Sequence, residues 1–100
     1  MRTRYSDGLE ELQRAVLDGP GQLDPAVRQT AFSGSGVLSS EAAPFVDKLR
    51  RHAYKVTDED VAGLLEAGWT QDQVFELTLA TALGEGRRRI DVALAALEEA

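Results

Sequence analysis

Residues 57–83 read TDEDVAGLLEAGWTQDQVFELTLATAL, and the punctuation of this stretch decides the fold class. Thr57 is followed three residues later by Asp60, and Thr70 by Gln73. Each is the pattern of a capping box, in which a side chain at the third helical position reaches back to the exposed N–H of the capping residue. Between the two boxes, Val61, Leu64 and Leu65 form an apolar stripe, and Gly68 is placed to end it. After the second box Val74, Phe75, Leu77, Thr78, Ala82 and Leu83 give the broad apolar face of a further helix. Phe75 is expected in the core with Trp69 and Phe45.

The same grammar extends outward in both directions. Ser6 or Asp7 can cap a first helix carrying Leu9, Leu12, Val16 and Leu17, which Gly19-Pro20-Gly21 ends. Asp24-Pro25 starts a second, short helix, since aspartate caps well and proline suits the first helical position. Residues 33–39 form a Ser/Gly-rich connector, expected to be flexible. A third helix is expected from Ser39 or Ser40 through Phe45, Leu49, His52 and Ala53, with Pro44 harmless in its first turn. Downstream, Gly84-Glu85-Gly86 is expected to interrupt the helix after the second box with either a kink or a close helix crossing, before Ile90, Ala93, Leu94 and Leu97 resume helical spacing. Residues 1–100 therefore read as a single all-α domain of about five to six helices, with no internal repeat.

Composition limits what such a domain can do. Eleven Lys and Arg against 17 Asp and Glu give a net charge of −6, which opposes nonspecific attraction to nucleic acid or an anionic membrane. There is no cysteine, so thiol nucleophiles, disulfides and thiolate metal sites are excluded. Arg2 and Arg4 are followed by Ser6, Asp7, Glu10 and Glu11 where a signal peptide needs an apolar run, and no apolar run approaches membrane-spanning length. A cytoplasmic protein is expected. A helical chain this short, with six aromatic residues, leaves apolar faces uncovered, so a homo-oligomer is expected as well.

Residues 52–89, HAYKVTDEDVAGLLEAGWTQDQVFELTLATALGEGRRR, resemble the alkylhydroperoxidase AhpD-like and carboxymuconolactone decarboxylase superfamily, the similarity covering roughly residues 41–98. Its most specific part is EAGWTQDQVFELTLATALGEGRRR, which is similar to the family's AGxSxEEIxE turn followed by a helix with small residues and a terminal arginine. The resemblance implies a compact helical AhpD-like domain that assembles into dimers, trimers or rings. It also implies a site: a CxxC pair, a histidine and a glutamate. Aligned on Gly68, the cysteine positions fall at Ala53 and Val56, the histidine position at Asp60 and the glutamate position at Glu41. Only the acid remains. Thiol peroxidase chemistry needs one thiol to attack and another to resolve, and neither is present. The resemblance thus points to a non-redox AhpD-like protein that acts as an oligomeric binding or assembly component.

An acid–base enzyme needs no sulfur, and a cofactor-free decarboxylase or isomerase is the alternative. His52, the only histidine, would be its base and Glu41 its orienting acid, with Asp60 and Glu76 as other acids in reach. Arg50, Arg51, Tyr54 and Asp60 are the expected binding residues, the arginines holding a small organic acid. His52 has a plainer reading as a helix-end residue stabilised by the last carbonyls. Glu76, within the most apolar helix, reads either as a buried acid or as part of a polar face with Asp72 and Gln73. Lys48, Arg50, Arg51, Lys55 and the run Arg87-Arg88-Arg89 either bind an anion or pair with Asp47, Glu85 and Asp91. One histidine with scattered carboxylates is too poor a set for a metal. No cofactor, nucleic acid or membrane partner is expected; a protein partner or a small organic acid remains.

Overall fold

A computed structural model of the chain describes residues 4–99. It is all-helical: α1 spans Arg4–Asp18, α2 Pro25–Ser33, α3 Ala42–His52, α4 Asp58–Glu66 and α5 Gln71–Glu99, with a single 3-10 turn at Ala53–Lys55 after α3. No strand occurs among the described residues.

Most boundaries follow from the predicted caps. Asp24 accepts a hydrogen bond from the Ala26 N–H at 2.9 Å, and Pro25 occupies the first turn of α2. Asp60 reaches back to the Thr57 N–H at 2.9 Å to open α4. At α5 the box is reciprocal: the Thr70 N–H donates to Gln73 Oε1 at 2.9 Å and the Gln73 N–H to Thr70 Oγ1 at 3.1 Å. Two starts differ from expectation. Helix α1 begins at Arg4, so Asp7 lies in its first turn, where its charge suits the helix dipole. Helix α3 begins at Ala42, three residues beyond Ser39, whose Oγ still accepts the Ala42 N–H at 3.2 Å.

The connector at 33–39 opens with a bonded turn. Ser33 closes α2, and Gly34, at φ +78°, returns its N–H to the Thr30 carbonyl at 3.0 Å. That backbone conformation is open to glycine at little cost. Ser33 Oγ then accepts the Ser35 N–H at 3.1 Å.

The core forms around the first half of α5. Val74, Leu77, Ala80, Thr81 and Gly84 are buried along one face of this 29-residue helix, and its most extensive contact is with α2. Leu17, Leu23, Ala31, Phe45, Val46 and Leu64 are buried on or between the other elements. Thr81, fully buried, donates its hydroxyl to the Leu77 carbonyl at 2.8 Å, so its polarity is satisfied within the helix. Phe75 faces outward instead, 64% exposed. The apolar residues of α5 lie on more than one side, and the stripe through Val74, Leu77 and Thr81 is the one that packs. Trp69 is partly buried against the core and Phe45 is within it.

Gly84-Glu85-Gly86 does not interrupt α5. It marks the close crossing: a Cβ at Gly84 would overlap the Phe32 backbone carbonyl of α2. With a rise of about 1.5 Å per residue, α5 is about 43 Å long, and its last turns pass beyond the bundle. In 91–99 only Leu94 is partly buried, the other residues being exposed.

Candidate functional site

The expected site residues lie in two separate places. Helix α3 sets them apart, with Glu41 just before its first residue and His52 as its last. Eleven residues of helical rise put about 16 Å between them, so Glu41 and His52 do not form an acid–base pair. Both are exposed. The His52 ring packs edge-on to Tyr54, with centroids 5.9 Å apart and planes at 81°.

Glu41 and Asp60 share an open hollow of about 380 Å³ between α3 and α4, lined also by Lys48, Glu59 and Leu64. Asp60 is committed there to structure. Besides holding the Thr57 N–H, it forms an ion pair with Lys48, Nζ to Oδ2 at 2.9 Å, which ties α3 to α4. These bonds, the Thr57 backbone N–H first and the Lys48 ammonium next, hold its carboxyl below the usual aspartate range. Among the described residues no three His, Asp or Glu side chains converge as a metal-binding group.

Arg50, Arg51 and Tyr54 come together in a second hollow, a groove of about 400 Å³ between the end of α3 and the middle of α5, where Leu49, Ala82 and Arg89 complete the walls. Tyr54 is 81% exposed at its mouth. Arg51 pairs with Asp47 one turn earlier, at 2.8 Å. Arg50 turns inward, its Nη2 donating to the Ala31 carbonyl at 2.8 Å and its Nε lying 3.9 Å from Glu85.

Three of the arginines, Arg28, Arg50 and Arg88, serve helix ends. The last carbonyls of a helix have no partner within it, and here guanidinium groups supply one. At the end of α2, Arg50 takes the Ala31 carbonyl while Arg88 takes those of Phe32 and Ser33, at 3.1 and 3.3 Å. Glu85 joins the clamp, accepting from Arg88 at 2.7 Å. At the end of α1, Arg28 does the same work from the interior. It is 3% exposed and donates to the carbonyls of Val16 and Gly19, both at 2.9 Å, and of Leu23 at 3.1 Å. Arg87 pairs with Asp91 at 3.2 Å. The basic runs therefore find the acidic neighbours that their sequence suggested, together with carbonyls that it did not.

Glu76 also has a structural post. It is half-buried, and its carboxylate accepts from the Gln22 and Leu23 N–H groups at 3.0 and 3.1 Å, fastening the α1–α2 loop onto α5. Gly21 leaves the room, since a Cβ there would overlap the Glu76 carboxylate.

No family model, curated protein or solved structure matches the chain. Among the described residues no helix is long and apolar enough to cross a membrane. What fold and site define is a class: an all-helical bundle, clamped by arginine at its helix ends, with a projecting helix and an arginine-walled groove.

Proposed function

We propose that the chain is a helical binding and assembly component that pairs with a second copy of itself through the projecting end of α5. The observation that carries this reading is the seam on that end. Ile90, Ala93, Leu94 and Leu97 fall on one side of the helix at the three- and four-residue spacing of a coiled-coil interface. Ile90 and Leu94 are only partly buried, and Leu97 is 65% exposed.

An antiparallel pair would set Ile90 against Leu97 of the second copy and Ala93 against Leu94. In that register the flank of Arg87 and Asp91, already paired with each other, meets the flank with Glu98, so the apolar seam and not charge carries the contact. Val92 lies on the opposite side of the helix and takes no part. So short a seam belongs to the weak, concentration-dependent end of protein association. Sedimentation of the full chain and of Leu97→Asp tests the proposal.

The lineage attached to this reading is a cysteine-free AhpD-like scaffold. Its support is the pattern of residues 66–89 and the absence of cysteine, which leaves no thiol peroxidase chemistry. The alternative of an acid–base enzyme built on His52 and Glu41 is disfavoured by the length of α3 between them.

A further inference from the structure

We infer that the groove between the end of α3 and the middle of α5 binds a small aromatic carboxylate. Three guanidinium groups, Arg50, Arg51 and Arg89, border it against one carboxylate, Glu85, on a chain whose net charge is −6. A local excess of positive charge on an acidic protein selects for an anion.

The three arginines are not equivalent. Arg50 is spent on the Ala31 carbonyl, and its Nε is buried, so it contributes potential and not contact. Arg51 is drawn toward Asp47, outside the groove. Glu85 is engaged by Arg88. Arg89 is exposed on the wall and makes no hydrogen bond or ion pair among the described residues. Its planar fork is the group left to grip a carboxylate in bidentate fashion.

The rest of the groove is apolar. Leu49, Ala53 and Ala82 line it between the charged groups and the Tyr54 ring stands exposed at its mouth, an arrangement that favours a flat hydrophobic body over a hydrated inorganic ion. A volume of about 400 Å³ accommodates one or two fused rings. The groove uses neither Ala93 nor Leu97, so this inference stands apart from the proposed pairing of two copies.

The test is an amide chemical-shift titration of the full chain with 2-naphthoate, its neutral isostere 2-naphthamide, and inorganic phosphate. The expected result is a saturable shift of residues 49–55 and 82–89 with 2-naphthoate, and affinities at least about tenfold weaker for the other two probes. Arg89→Gln, which removes no described contact, should fold as the parent does and bind 2-naphthoate about tenfold more weakly. Tyr54→Ala should weaken 2-naphthoate and leave phosphate unchanged. Equal binding of 2-naphthamide, preferential binding of phosphate, shifts confined to other residues, no saturable shift, or an unaltered Arg89→Gln variant would each overturn the inference.

Discussion

The backbone of Gly84 lies directly against the carbonyl of Phe32, leaving no space for a side chain at the crossing of α5 and α2. Ala31 and Ala80 are fully buried nearby in the core, and small residues are what bring two helices so close.

Glycine inside a helix costs about 1 kcal/mol relative to alanine, so helix propensity alone predicts that Gly84→Ala stabilises. The contact with Phe32 reverses the sign. Gly84→Ala is expected to destabilise by about 1 to 3 kcal/mol as the helices are forced apart. Gly63→Ala and Gly86→Ala, where a Cβ would meet nothing within 4 Å, are expected to be neutral or to stabilise by up to about 1 kcal/mol. Urea unfolding of the three variants checks this, and a stabilised Gly84→Ala would refute the close crossing.

Arg28→Ala should cost about 3 kcal/mol or more, because it leaves the carbonyls of Val16, Gly19 and Leu23 without their buried donor. Arg28→Lys should recover little of the loss, since an ammonium cannot span carbonyls set by a planar fork. Equal stability of the lysine variant and the parent in thermal unfolding would show that charge, and not geometry, fills this position.

Glu76→Ala should cost about 1.5 to 3 kcal/mol, the worth of charge-assisted bonds to the Gln22 and Leu23 N–H groups. Hydrogen exchange should report the loss first at residues 21–24, ahead of the helices. Protection unchanged in that loop would mean that its packing, not the carboxylate, holds it.

Asp60 has a lowered carboxyl pKa in the folded chain, so its contribution to stability is present above the ordinary value of about 3.9 and is lost as pH falls below it through the folded value. The stability gap between the parent and Asp60→Asn should therefore be constant near neutrality and narrow below about pH 4. Melting temperatures measured from pH 3 to 7 test the sign. A gap that widens in acid would contradict the bonds from Thr57 and Lys48.

The helix grammar was readable because it is local. Asp24, Thr57 with Asp60, and Thr70 with Gln73 each act within three residues of themselves, and each cap stands where its spacing put it. Partners distant in sequence were not readable. Arg28 looks like any surface charge on a short helix, and nothing local announces that the end of α1 will fold over it. Glu76 was open to two readings, and the answer depended on a loop more than fifty residues away. Phe75 was misplaced because α5 carries apolar residues on several sides, so periodicity defines a helix without choosing its buried face. Arg50, Arg51 and Tyr54 were adjacent in sequence and stayed together, whereas the pairing of His52 with Glu41 ignored the length of the helix between them.

If the end of α5 pairs two copies, association depends on protein concentration and on the seam through Leu97. Sedimentation velocity across a wide concentration series tests it most directly, with the parent compared against Leu97→Asp and Val92→Asp. Reversible dimerisation is expected of the parent and of Val92→Asp, whose substitution lies on the opposite side of the helix, and a monomer of Leu97→Asp with unchanged helicity. A parent that stays monomeric throughout, or a Leu97→Asp variant that dimerises as the parent does, would contradict it.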